Sequence, residues 1–450
     1  MVLKVCKFGG TSLATREQIE KSLDIILSEK NDRRFMVVSA PGARFKGDTK
    51  VTDLLINATE EYRQSKKSPS AERVLSRFEE LMPSNPTFFS GLRNELYERL
   101  DKVASANYED SIKAFGEYAC ARVVNEILKS KKILSSFFDP LQMGLIISGK
   151  GKNARPISDS YQRMNKFFFN YRFNIAVIPG FYGCNSKGEI VTLPRGGSDT
   201  SGAVVARAVN ADVYENWTDA DGLKRADPRI VENPETIPVM TYGEARELAY
   251  MGFKLQDACF EPIRGRGIVL NVRNTDNPSH EGTRIVDSRE LDPDERIVGV
   301  ACEKDFVSIG MRKMYIDQVV GFGRKMMQVL ENMKLPYEHT LDGVDNTSLV
   351  VARKYLKDNI LETLNGRLKK ACRPDGDILV QDMALLGIAG EGMQNHYDVH
   401  ARTFSALARE KIAVRMIDEG ADDLSFFVGV DNDRSNDAVR AIYNEFYNKK

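Results

Sequence analysis

The sequence has no surplus of charge of either sign: 64 Lys and Arg stand against 64 Asp and Glu. That balance offers no field to draw in a polyanion, and short basic runs such as Lys66-Lys67 and Lys369-Lys370 read as solvated helix faces. No nucleic-acid partner is expected. Long hydrophobic runs are missing too. The opening MVLKVCKFGG lacks the apolar stretch of a signal peptide, and no later segment reaches the roughly 20 apolar residues needed to span a bilayer. The expectation is a soluble, cytoplasmic protein with no membrane partner. The six cysteines, Cys6, Cys120, Cys184, Cys259, Cys302 and Cys372, include no C-x-x-C pair. This argues against a zinc or disulfide framework and fits reduced thiols in packing positions. Cys6, in a β-rich run, is expected as a buried small hydrophobe rather than a reactive thiol. Histidine is scarce, with four in all. His396 and His400 stand four apart on one expected helix with no third ligand evident, so no fixed metal site is expected.

What is present is length and alternation. A chain of 450 residues is too long for one typical core, which points to two or three domains. VLKVCKF and FMVVSA read as strands around a helix whose Ile19, Leu23 and Ile26 share a face, with Thr15 and Gln18 placed as a capping box. From Val51 to Lys132 helix formers dominate, punctuated near Pro69, Pro83 and Pro86, and no strand is expected there. Strand signals return at MGLIIS, NIAVIPGF, GEIVTL, ADVYENWT and GIVLNVRN. Strands alternating with helices argue for an α/β domain built on a largely parallel sheet. The charged run DSRELDPDERI, near residue 287, reads as a linker. Beyond it two units share one grammar, β-α-β-β-α: an internal repeat suited to paired ligand-binding modules.

Two glycine corners carry candidate chemistry, and neither is a G-x-G-x-x-G or a Walker sequence. Lys7-Phe8-Gly9-Gly10-Thr11-Ser12 follows a strand directly. Bare glycine backbone lets a bulky anion approach, free N–H groups at a helix start favour negative charge, and Lys7 adds a cation. In Pro194-Arg195-Gly196-Gly197-Ser198-Asp199, the glycines form a corner, Ser198 or Asp199 can cap the following helix, and Arg195 can clamp a carboxylate. A third turn, Thr218-Asp219-Ala220-Asp221-Gly222, ends a strand, where ligands of open α/β sheets bind.

Lys7 to Ser12, Arg195 to Asp199, Thr218-Asp219 with Asp227-Pro228-Arg229, and Met251-Gly252-Phe253-Lys254 occur in the order and approximate spacing seen in aspartate kinases, and the chain resembles that family throughout. The tail resembles the tandem ACT domains of the monofunctional enzymes, and the chain ends where that repeat ends. The resemblance implies the amino-acid-kinase fold over 1–287, a helical segment 51–132 included. It also implies two ferredoxin-like βαββαβ ACT domains, at 295–375 and 376–450. The implied activity is transfer of the γ-phosphoryl of ATP, with Mg²⁺, to the side-chain carboxylate of L-aspartate.

By the same resemblance Lys7 stabilises the transferring phosphoryl, Asp199 orients that lysine, Gly9 and Gly10 contact phosphates, and Arg195 holds the substrate α-carboxylate. Glu117 takes the ammonium, Ser39, Thr52 and Ser198 line the aspartate pocket, and Thr218, Asp219, Lys224, Arg229 and Lys254 bind the nucleotide. A carboxylate nucleophile is already ionised at pH 7, so no general base is required. Catalysis then rests on positioning and charge neutralisation.

Three departures from the family pattern stand beside these contacts: Phe115 where relatives commonly have histidine, Lys224 in place of an aromatic, and Leu255-Gln256-Asp257-Ala258 after Lys254. The loop APGARFKGDTKV, between Ser39 and Thr52, is a form associated with a subset of bacterial enzymes. The resemblance further implies an amino-acid effector, lysine favoured over threonine, near Gly321, Phe322, Glu338, Asp342 and Asp345, and a homodimer or homotetramer formed through the ACT domains. The rival readings are a kinase for another amino-acid carboxylate and a non-catalytic amino-acid sensor.

Overall fold

The computed structural model describes residues 2–82, 85–170, 174–253, 257–420 and 423–448. The chain divides into two compact units. The first comprises Met1–Leu223, Thr236–Tyr242 and Gln256–Arg289; the second comprises Lys224–Glu235, Gly243–Leu255 and Glu290–Lys450.

The first unit is built on an eight-stranded sheet. Its central strand, Lys4–Phe8, pairs in parallel with Arg33–Val38 on one side and Val213–Thr218 on the other. Every pairing in this sheet is parallel except that of Val269–Asn274 with Thr283–Val286. Alternation along the strands sorts the side chains between two faces. Cys6, Phe8, Met36, Val38, Ile175, Val177 and Trp217 enter a core shared with five helices between Val51 and Ser130. No strand interrupts that stretch among its described residues. Pro69 and Pro86 open two of its helices, each behind a side-chain cap, from Ser68 and Asn85, because a first-turn N–H has no helical partner to lose. Pro83 lies outside the described residues. Lys7 projects to the opposite face.

Some expectations are corrected. MGLIIS is not a strand of the sheet: Gly144, at φ 80°, ends the short helix Pro140–Met143, Ile146 makes a single parallel bridge to Cys184, and Ile147–Ser148 pairs with Arg155–Pro156. GEIVTL supplies Ile190–Thr192 to a hairpin with Tyr182–Cys184. Its turn is set by the Asn185 side chain, which accepts the N–H groups of Lys187 and Glu189. Of the capping box, Thr15 accepts the Gln18 N–H at 3.2 Å, while the Gln18 amide donates to Asp276 instead of reaching back.

The core also encloses a charge cluster. Arg33 grips Glu215 through two hydrogen bonds of 2.8 and 3.1 Å, and Lys4 and Arg273 approach the same carboxylate at 3.7 and 3.5 Å. Trp217 donates its indole N–H to Glu215 at 3.0 Å and lies beneath both guanidinium groups. The Cys6 thiol, 3.3 Å from Glu215, is fully buried, and burial pushes its pKa well up. It is a core thiol, and a polar-bonded one.

The second unit is a six-stranded antiparallel sheet. Gly299–Arg312 and Leu379–Ala389 pair at its centre, and each belongs to one β-α-β-β-α repeat. Helices Phe322–Met333 and Ile360–Cys372 pack with Val307, Ile309, Leu349 and Val351. Helices Val399–Arg409 and Ser435–Tyr447 pack with Leu386, Ile388, Phe426 and Val428. The two repeats therefore share one sheet. The expected span 1–287 is also interrupted, because Ala226 and Val231 complete the core of the second repeat. His396 and His400 do not share a helix: that helix starts at Val399, and His400 pairs with Glu419 at 3.0 Å. Residues 287–297 carry no regular structure. No described helix is long and apolar enough to cross a membrane.

Candidate active site

Lys7 sits near the carboxyl end of the central strand, 7 % exposed, and its Nζ lies 2.6 Å from Asp199 Oδ1. Asp199 belongs to the first turn of the helix Gly197–Ala208. The cap of that helix is Gly196, in the left-handed conformation at φ 79°, and no side chain caps it. This corrects the capping role expected of Ser198 and Asp199. The left-handed turn favours glycine and frees both side chains for other contacts. Tyr214 fixes the backbone at Asp199 by donating its hydroxyl to the Asp199 carbonyl at 2.9 Å.

Asn216 was not anticipated. The register pairs it with Lys7 across adjacent parallel strands. It accepts from Lys7 Nζ at 3.3 Å and donates to Asp199 Oδ1 at 3.1 Å.

The loop after Lys7 places its two glycines differently. Gly9 donates its N–H to the Trp217 carbonyl, and a Cβ there would meet only ordinary contacts, 3.6 Å from Lys7 Nζ. A methyl group would therefore fit there, in contact with the ammonium. Gly10 packs against the loop containing Ala40 and Gly42, where a Cβ would fall 2.9 Å from the Ala40 carbonyl oxygen. That second loop, the APGARFKGDTKV segment, is held by Arg77, which donates to the carbonyls of Gly42 and Thr49 and pairs with Asp48 at 3.1 Å. Hydrogen bonds from Arg44 together with the Arg77 charge hold the Asp48 carboxyl down at about 2. Ser39, half-buried, donates its N–H to the Phe8 carbonyl, and Thr52 is half-buried in the first turn of Val51–Ser65.

Glu117 lies in the first turn of Phe115–Ser130 and is 5 % exposed. Burial pushes its carboxyl up to about 8, against the opposing pull of the Ala40 N–H, its own N–H and the Ser198 hydroxyl. One oxygen, Oε2, is buried with no hydrogen-bond partner. Such an orphan acceptor is costly unless something fills it. Ser198 reaches Glu117 because Gly180 is bare: a Cβ there would lie 2.9 Å from the Ser198 Cβ. Arg195 is exposed, and no hydrogen bond or ion pair engages its guanidinium among the described residues. Phe115 is a core residue, edge-on to Phe78.

Thr218 and Asp219 stand at the end of the strand next to Lys4–Phe8, the threonine hydroxyl 3.2 Å from the aspartate. Asp221, in the same turn, is tied by Asn274 and Asn277. Lys224 and Arg229 belong to the second unit, where Arg229 pairs with Asp227 through Nε at 3.0 Å and Nη2 at 2.5 Å. Lys254 lies outside the described residues.

Of the effector candidates, all in the second unit, Phe322 is buried in the repeat's own core and Gly321 caps its helix at φ 76°. Asp342 accepts from Thr347, and Asp345 accepts the Tyr315 N–H at 2.7 Å, so both flank one hairpin turn. Glu338 precedes the other end of the strand His339–Asp342 and accepts the Tyr250 hydroxyl at 2.6 Å. The carboxylates therefore do not converge.

The Lys7–Asp199 pair stands at the strand ends of a mainly parallel sheet, and the chain that carries it matches a known family. Residues 3–274 match the amino acid kinase family, and the chain is 34% identical to aspartokinase 3 of Bacillus subtilis over 99% of both sequences. The chain belongs to the amino acid kinase family, among the aspartokinases. The solved aspartate kinase of Clostridium acetobutylicum superposes on it with a TM-score of 0.87 at 34% identity, covering 99% of this chain and all of that one. The fold is also that of E. coli aspartokinase III, solved with aspartate and ADP, at 23% identity, a TM-score of 0.77 and coverage of 99% of this chain and 100% of that one. Residues 386–446 match the ACT domain, so this aspartokinase carries an ACT-type module in its second repeat.

Proposed function

We propose that the chain transfers the γ-phosphoryl group of ATP to the side-chain carboxylate of L-aspartate, giving 4-phospho-L-aspartate, the first step toward lysine, threonine and methionine. The carrying observation is the Lys7–Asp199 pair at 2.6 Å, beside the Gly9 corner that follows the central strand. A carboxylate oxygen of aspartate attacks the γ-phosphorus as the bond to the departing ADP oxygen breaks, and no proton need move. Lys7 neutralises the phosphoryl oxygens in flight. The orphan Oε2 of Glu117 suits the substrate ammonium, and the unengaged guanidinium of Arg195 suits its α-carboxylate. Ser39, Thr52 and Ser198 complete that pocket. Thr218, Asp219, Lys224, Arg229 and Lys254 would serve the nucleotide. Mg²⁺, carried in on the phosphates, would neutralise their charge.

The paired repeats, 295–375 and 376–450, are the regulatory modules in this reading, with lysine the favoured effector at the Asp342–Asp345 turn and a homodimer or homotetramer in the cytoplasm. One assay tests the whole. ATP, Mg²⁺ and L-aspartate should yield an acyl phosphate trapped as the hydroxamate, and saturating lysine should suppress it. Product with a different acid alone would make the chain another amino-acid kinase. No product with any acid would favour a sensor.

A further inference from the structure

Asn216 occupies a position no motif marks. It stands opposite Lys7 in the parallel register, is 9 % exposed, and emerges on the same face as the lysine. Its Oδ1 accepts from Lys7 Nζ at 3.3 Å and its Nδ2 donates to Asp199 Oδ1 at 3.1 Å, the same carboxylate oxygen that holds the lysine at 2.6 Å. The amide thus closes a three-membered ring of contacts in which one oxygen of Asp199 has two donors.

That second donor matters once the lysine has another anion to serve. An ammonium turning toward a phosphoryl group loosens its hold on Asp199, and a largely buried carboxylate without a donor is costly. We propose that Asn216 is a positioning residue for phosphoryl transfer, keeping Asp199 satisfied and in place while Lys7 moves between the aspartate and the transferring group. The proposal rests on the reading of Lys7 as the phosphoryl-stabilising cation. The chemistry explains why a neutral amide suits the position. An apolar side chain would leave Asp199 with the lysine alone, so that each departure of the ammonium strands the carboxylate. A carboxylate would set a second negative charge against both Asp199 and the incoming phosphates. An amide offers one donor and one acceptor, the number the ring uses.

The test compares full-length Asn216→Leu, Asn216→Asp and Lys7→Ala with the parent, reading kcat, both KM values, the pH dependence of kcat and thermal unfolding. Asn216→Leu is expected to lower kcat by about tenfold or more, with both KM values within about twofold of the parent because ground-state binding is untouched. Asn216→Asp is expected to be poor at high pH and to regain kcat, relative to the parent, as pH falls. A protonated carboxyl reproduces the donor and acceptor of the amide. If Asn216→Leu keeps the parent kcat while Lys7→Ala is inactive, the proposal is overturned and the reading of Lys7 stands. If Lys7→Ala itself stays active, the underlying reading fails instead. Should Asn216→Leu not fold, Asn216→Asp carries the decision: a kcat that tracks the parent at every pH overturns the proposal.

Discussion

Glu117 shows how a single buried carboxyl can couple binding, pH and stability. Its folded pKa, about 8, lies above the 4.5 of an exposed glutamate because burial penalises the charged form. Between those values the folded chain holds a proton that the unfolded chain has released, so stability falls as pH rises across that interval. A substrate ammonium needs the ionised form. Aspartate KM is therefore expected to fall as pH rises through about 8, and binding at neutral pH to release a proton. Titration calorimetry in two buffers of different ionisation enthalpy measures that release. Glu117→Gln removes the titration: its unfolding temperature should exceed the parent's near pH 8 to 9 while its KM for aspartate rises strongly. Equal heats in the two buffers, or a KM independent of pH, would refute the assignment.

At the scale of elements, the active corner depends on two loops meeting without side chains. A Cβ on Gly42 would lie 2.7 Å from the Gly10 carbonyl carbon, so Gly42→Ala forces backbone apart. It is expected to destabilise the fold by about 1–3 kcal/mol. Gly9→Ala meets nothing closer than 3.5 Å and should fold with parental stability. Its methyl group fills space beside Lys7, so it is expected to raise KM for ATP. Urea unfolding and steady-state kinetics on the two variants separate the cases, and equal effects on stability would erase the distinction.

Both glycines were legible as a pair in the sequence, but their division of labour was not. Gly10 answers to a loop some thirty residues downstream, and nothing in a contiguous motif records that contact. The same holds for Asn216 and Gly180, whose roles arise from strand register and from the closeness of a helix start. The corners that carry Lys7, Arg195 and Asp199 were readable because their local grammar, a strand or glycine corner followed by a helix, is written in consecutive residues. MGLIIS was misread because its apolar run resembles a strand of the main sheet, whereas Gly144 turns left-handed at its start and leaves a one-residue bridge and a two-residue pairing outside that sheet.

At the scale of the whole molecule, the chain passes between its two units after residues 223, 235, 242, 255 and 289. The excursions are built into the second unit. Ala226 and Val231 join its core, a Cβ on Gly387 would collide with Met251 at 2.5 Å, and Glu244 and Glu247 accept hydrogen bonds from the Glu391 N–H and the Ser425 hydroxyl. A fragment limited to 290–450 lacks all of these. It is expected to unfold at lower temperature than the same residues in the full chain, with loss of the buried Met251 side chain alone worth about 2–5 kcal/mol. Calorimetry of the fragment and the intact protein checks this, and coincident transitions would contradict it.

Those excursions also constrain how such a protein can be recombined. A single crossover at residue 290 would join a foreign second unit to a first unit whose two inserted segments were shaped for the original sheet. The junction could be seamless in the gene and still mismatched in the core. A functional exchange would have to carry three pieces of sequence together, so the second unit is inherited as a set of interleaved segments and not as a tail.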